Sequence, residues 1–378
     1  MAVLDLTELR MQAAARAAQA GDVPGLLGAA EALRQAMGAE VPAPAPVLPP
    51  PMDMHEVFHV PPPPVDDVLP GLEPGEVGLL VATGGSGKTW MDLSIAEAVA
   101  MGTPLFGLDW WPKAPPSNVM LLAGEDRALR LRRRLHAIGQ LDPAAGAALE
   151  QHLRIWPLVG TGPALIDLNG PTDLYHAVRD EAQQRQPRLI IIDPAAKFHR
   201  LDENSNIDME RFIDLLAGLG QAAGSAVLVA HHTSKGAVQA GGAAAESQHS
   251  SRGASALVDA SRWTATLRRL TFMEATAIGL DATWRTARLV KFPKLNNSAD
   301  LPGVLLEHGD GGILSLINEV DTEQEALLAE VAGGRSKGAN VRWNEGKYAK
   351  LPTQQPTTSV QEQAAVERLL GTAKGGQQ

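Results

Sequence analysis

Five apolar runs punctuate the middle of the chain, at residues 77–81, 118–123, 153–159, 188–192 and 226–230. None alternates apolar with polar residues. A strand with one wet face does alternate, so the run 77–81 reads as a central strand covered on both faces, the habit of a parallel sheet, 188–192 as a buried strand, and the others as further strands. The segments between them, 90–100, 127–139, 172–186 and 207–223, read as helices, the first of them amphipathic. Strand and helix in turn predict an α/β fold with a mainly parallel central sheet. Three later runs, 261–270, 283–292 and 312–317, read as an antiparallel finish.

The flanks differ from this core. Residues 1–40 are alanine-rich and give two helical stretches broken at Gly21-Asp22. They read as a helical N-terminal extension, a hairpin leaning on the main domain or else a docking module. Residues 41–64 form a proline-rich linker around a short helix at 52–60, in which Val57 and Phe58 are expected to pack. The core is placed at 65–320. The tail, 321–378, holds a helix at 323–332, a basic stretch with Trp343 and Tyr348, and a last helix near 360–370. It reads as a small appendage or as partly disordered.

Chemistry enters where the first strand ends, at Ala82-Thr83-Gly84-Gly85-Ser86-Gly87-Lys88-Thr89. Glycines at three of these positions permit φ > 0, so successive backbone N–H groups can face inward and cradle phosphate oxygens at the start of the next helix. Thr83, Gly84, Gly85, Ser86 and Gly87 thus form the expected nest. Lys88 reaches the β- and γ-phosphates, and Thr89 puts a hydroxyl on Mg²⁺. Ala82 stands where the strict pattern has glycine. The expected cofactors are ATP and Mg²⁺.

In open α/β sheets the working groups sit at the C-terminal strand ends. Strand 118–123 delivers Glu125 there, placed to polarise a water in line with the γ-phosphate, while Asp126 is expected to cap the following helix. Strand 188–192 ends in Asp193, the expected Mg²⁺ carboxylate. Strand 226–230 delivers His231 and His232, which can hydrogen-bond the γ-phosphate and report its loss. The next twenty residues, 233–252, are rich in Gly, Ala, Ser and Gln and lack periodicity. They read as a loop gripping a nucleic-acid backbone, with Lys235, Ser251 and Arg252 as DNA-binding groups.

Composition excludes other classes. Without cysteine there are no disulfides, thiolate metal sites or cysteine nucleophiles. No apolar run is long enough for a membrane helix, and residues 1–10 lack a signal-peptide pattern, so a cytoplasmic protein is expected. The net charge of −10 is uneven: residues 226–300 hold nine Lys/Arg and five Asp/Glu, giving +4 and leaving −14 for the rest. A ring with a basic lining would show such a split, and so would a mixed surface. His55-Glu56-Val57-Phe58-His59 matches a zinc-protease pattern letter for letter. Proline runs fence it to about two turns and no third ligand follows, so it is read as structural.

The order Ala-Thr-Gly-Gly-Ser-Gly-Lys-Thr, Ala-Gly-Glu-Asp, Ile-Ile-Ile-Asp-Pro, Ala-His-His-Thr-Ser-Lys-Gly and Ser-Arg-Gly-Ala-Ser-Ala-Leu-Val-Asp-Ala-Ser-Arg-Trp resembles the RepA-type hexameric replicative helicases of broad-host-range plasmids. These belong to the RecA-like, DnaB-type branch, and the resemblance spans residues 65–317. It implies a RecA-like P-loop NTPase core, with Glu125 as general base and His231 and His232 as γ-phosphate sensors. Arg262 would be a finger reaching into the neighbouring copy's site, assisted by Lys294 as a further nucleotide contact. The implied partners are five more copies in a hexameric ring, single-stranded DNA and other replication proteins, with no membrane. Rival readings are a RecA-like regulatory or recombination ATPase that does not unwind, and an ATP-switched assembly factor that grips a protein.

Overall fold

The computed structural model describes residues 51–232 and 254–336. The expected hairpin at 1–40, the loop 233–252 with Lys235, Ser251 and Arg252, and the last helix near 360–370 lie outside the described residues.

The chain divides into two units, residues 1–64 and 65–378. In the first, helix α1 (Met54–His59) is capped by Asp53, whose carboxylate accepts from the N–H groups of His55 and Glu56. The expected packing of Val57 and Phe58 is not observed: both are exposed. The His55 and His59 rings stack with centroids 4.2 Å apart, and His59 Nδ1 lies 2.8 Å from the His55 carbonyl oxygen. Among the described residues no three His, Cys, Asp or Glu side chains gather as metal ligands.

The second unit is built on a nine-stranded sheet. In chain order its elements are β1 (Val77–Ala82), α2 (Lys88–Met101), β2 (Val119–Ala123), α3 (Ala128–Leu141), α4 (Pro143–His152) and β3 (Leu153–Pro157). A two-stranded hairpin, β4 (Ile166–Asp167) and β5 (Gly170–Pro171), precedes α5 (Asp173–Arg185), β6 (Leu189–Asp193), α6 (Asn206–Ala223) and β7 (Ala226–His232). There follow α7 (Ala254–Ala260), β8 (Trp263–Arg269), α8 (Phe272–Ala277), β9 (Ala287–Leu295), β10 (Val304–His308), β11 (Leu314–Glu319) and α9 (Thr322–Ser336).

The sheet order is β11-β10-β9-β8-β1-β7-β6-β2-β3. The run from β8 to β3 is parallel throughout and β9 to β11 are antiparallel. This is the expected RecA-like α/β architecture, with one correction: β8 is parallel to β1, so the antiparallel finish begins one strand later.

The absence of alternation is explained by packing on both faces. Leu80, Leu121, Ile191 and Leu228 face a cluster covered by α2, α3 and α4, which contribute Ile95, Ile138 and Leu149. Leu79, Leu122, Ile190 and Val229 face the opposite cluster, filled by Val178 of α5 and by Phe212 and Leu216 of α6. A third, smaller cluster joins Leu270, Leu289, Leu305 and Leu328 under α8 and α9.

Helix α2 departs from the amphipathic expectation, since ten of its fourteen residues are buried, Lys88 and Asp92 among them. Helix α4, packed on α2, covers the face that would otherwise be wet, and Ala145 and Leu149 share α2's cluster. Helix α4 is not among the elements expected from the apolar pattern, although Asp142 caps it and Pro143 opens it. Gly139 and Gly146 let α3 and α4 touch: a Cβ on Gly146 would stand 2.9 Å from the Gly139 Cα. Asp126 does not cap α3 as expected; its carboxylate binds the guanidinium groups of Arg130 and Arg134 one and two turns in. Arg134 in turn lies 5.5 Å over the Trp90 ring.

Candidate functional site

Strands β1, β7, β6 and β2 lie side by side and parallel, so their C-terminal ends open on one edge. The turn after β1 has Gly85 at φ +71° and Gly87 at φ +105°. Thr83 O accepts from Ser86 N–H at 3.1 Å and from Ser86 Oγ at 2.7 Å, closing the loop on itself. Gly84 and Gly85 are exposed at its rim, and a Cβ on Gly84 would meet open space.

Lys88, buried at the head of α2, forms an ion pair with Asp193 at the end of β6, Nζ to Oδ1 2.7 Å. Thr89 Oγ1 donates to the other oxygen of Asp193 at 2.9 Å. Residues 104 positions apart are thus joined at the loop, as the strand-end argument expects. Lys88 Nζ also lies 3.2 Å from His232 Nε2, and that nitrogen lies 3.5 Å from Glu125 Oε2. The ammonium can only donate, so it needs Nε2 bare; Glu125 can only accept, so it needs Nε2 protonated. His232 therefore serves one partner at a time, which makes it a two-position connection between Lys88 and Glu125.

His231 points into the interior. Burial holds its pKa down at about 4, with the charges of Lys88, His232 and His199 adding to the effect. An unfolded histidine titrates near 6.5, so between the two values the unfolded chain binds the extra proton and stability falls with acidification. The contribution is complete above about pH 6.5 and is lost as pH drops toward 4. We expect about 2 kcal/mol less unfolding free energy at pH 5 than at pH 7 from this group. Urea unfolding of His231→Gln at both pH values should show a pH dependence smaller by that amount; an unchanged dependence would contradict it.

Asp92, one turn beyond Lys88, is not among the residues expected from sequence. It is fully buried, and among the described residues neither carboxylate oxygen has a hydrogen-bond partner. Burial first, then the nearby Asp193, pushes its carboxyl well above the usual carboxylate range. The missed signal was the spacing of four from Lys88, which puts both on one helix face. Arg269 and Arg288 were missed too. They reach the loop from β8 and β9, donating to the carbonyls of Gly85 and Ser86.

Two expected residues are elsewhere. Arg262 is exposed, and its N–H donates to the Val77 carbonyl. Because β8 runs parallel to β1, Arg262 lies at the end of the sheet remote from the loop, about 16 Å away along the strand. Lys294 is near it: Nζ donates to the carbonyls of Val258 and Asp259 at 2.8 and 2.9 Å, at the end of α7. Neither residue touches the phosphate loop of its own chain. Among the described residues, four bases of the segment 226–300 are engaged within the chain. Arg268 is bound to buried Glu274, Lys291 to Glu325, and Arg269 and Arg288 to the loop.

A strand-turn-helix phosphate loop, an Asp on a nearby strand bonded to its Lys and Thr, and an acid on the next strand define a P-loop ATPase. A family model described as an AAA domain matches residues 43–238, just over half of the chain. The chain belongs to this AAA-domain family. Among the described residues no helix is long and apolar enough to cross a membrane.

Proposed function

We propose that the chain is an ATP-driven motor that assembles as a hexameric ring and translocates on single-stranded DNA, a replicative helicase of the RepA type. The observation that carries this reading is His232. It stands between Lys88 and Glu125 and is followed directly in the chain by the segment that the sequence suggests as a DNA contact. A histidine so placed couples the state of the phosphate to the chain beyond it.

In this reading the N–H groups of residues 83–87 and the Lys88 ammonium hold the β- and γ-phosphates. Glu125 takes a proton from the attacking water as its oxygen bonds to the γ-phosphorus and the bond to the β–γ bridging oxygen breaks. Thr89 Oγ1 and Asp193, hard oxygen donors already in contact, fit Mg²⁺, which takes few protein ligands and completes its shell with water and phosphate. When bound, the ion would neutralise phosphate charge. Arg262, too far from its own loop, would act on the neighbouring copy's γ-phosphate, with Lys294 beside it.

Phosphate release with and without oligo-dT, and strand displacement on a forked duplex, test the proposal. The expected result is DNA-stimulated hydrolysis that weakens with added salt, together with unwinding. Stimulation without unwinding would favour a regulatory or recombination ATPase. No stimulation would favour an assembly factor that grips protein.

A further inference from the structure

Arg269 and Arg288 are directly paired across β8 and β9, so their guanidinium groups emerge together at the outer side of the phosphate loop. Arg269 Nε and Nη2 donate to the Gly85 carbonyl at 3.2 and 2.5 Å. Arg288 Nε donates to the Ser86 carbonyl at 2.7 Å, and its Nη1 to the carbonyls of Arg285, Thr286 and Ala287. Among the described residues neither arginine has a carboxylate partner. Glu307, the acid on the neighbouring strand, takes the Thr286 hydroxyl instead.

Such a pair is unusual inside a protein. Arg288 is 4% exposed, and buried cations are normally matched by an anion. Burial and the adjacent Arg269 charge bring its pKa down to about 10. His308, next to Gly87, is also held below its ordinary value, by burial and then by Arg288 and Arg269. Positive charge thus accumulates behind a loop whose front is built for phosphate, and no carboxylate among the described residues neutralises it.

The two arginines differ in freedom. Arg288 is fixed by four carbonyls. Because a peptide is planar and its C=O and N–H point opposite ways, holding the Ser86 carbonyl outward aims the Gly87 N–H into the nest. Arg269 is exposed and, among the described residues, its guanidinium binds only the Gly85 carbonyl, a neutral acceptor. A phosphate oxygen makes the stronger, charge-assisted bond.

Resting on the reading of this loop as a nucleotide site, we propose that Arg269 is a phosphate ligand in its own chain's site. Its guanidinium turns from the Gly85 carbonyl to a phosphate oxygen of a bound nucleoside di- or triphosphate, while Arg288 braces the loop. Arg269 is thereby distinct from Arg262, which stands at the opposite end of the same strand.

The test titrates ADP and inorganic pyrophosphate into the full chain, its Arg269→Ala and Arg269→Lys variants, and Lys88→Ala as control. Arg269→Ala should weaken both ligands by roughly 10- to 100-fold, the value of a hydrogen bond to a charged group. Arg269→Lys should recover part of that loss, and melting without ligand should not change. Unchanged affinity for ADP, a loss for ADP not matched by pyrophosphate, or a lowered ligand-free melting temperature would overturn the assignment. If the unaltered chain binds neither ligand, the nucleotide-site reading itself fails, which separates the two outcomes.

Discussion

Lys88→Ala should abolish ATP turnover, lowering phosphate release by at least roughly 10³-fold, because a preorganised charge at a transferring phosphoryl group is the largest single catalytic term. The structure adds a second expectation. Lys88 neutralises Asp193 in a buried pair, with Asp92 close behind. Removing the ammonium leaves a buried carboxylate uncompensated, which costs about 3–5 kcal/mol when a buried pair is broken. The variant should therefore melt at a lower temperature as well as fail to turn over. Asp193→Asn in the same background removes the stranded charge and should restore melting without restoring turnover. Turnover within tenfold of the parent would contradict the assignment of Lys88.

Arg262→Ala should have an equally large effect on turnover and almost none on anything else. An arginine supplied from a neighbouring copy contributes roughly 10³- to 10⁵-fold to hydrolysis by stabilising charge on the transferring phosphoryl group. Arg262 is exposed and its side chain is remote from its own loop. Nucleotide affinity and melting temperature should therefore match the parent's while phosphate release is lost. Lys88→Ala is expected to lose stability together with turnover, so the two variants separate by thermal melt alone. Normal hydrolysis by Arg262→Ala would remove the argument for a site shared between copies.

What could be read from the sequence was local. The phosphate loop is one continuous strand-turn-helix, so its glycines, Lys88 and Thr89 were recognisable from spacing. Glu125, Asp193 and His232 could be placed beside the loop because each follows an apolar run, and a parallel sheet sends all such ends to one edge. What escaped depends on neighbours far away in sequence. Helix α2 looked one-sided because nothing in its own residues announces that α4 covers it. Strand β10 (Val304–His308) escaped because it is short, although both strands that it pairs with stand out as runs. Arg269 and Arg288 gain meaning only once β8 is known to lie beside β1 and parallel to it. Asp126 carried the composition of a cap, but the two arginines of α3 held it more strongly.

The claim that one site is completed by two copies is tested most directly by mixing Lys88→Ala with Arg262→Ala. Each alone is expected to be inactive. In a ring of random composition, a seam works when the nucleotide-holding copy keeps Lys88 and its neighbour keeps Arg262. For equal amounts that is roughly a quarter of seams. Recovery of ATP hydrolysis to about that fraction of the parent is the predicted result. A mixture as inactive as its components, under conditions where the parent forms rings, would contradict it.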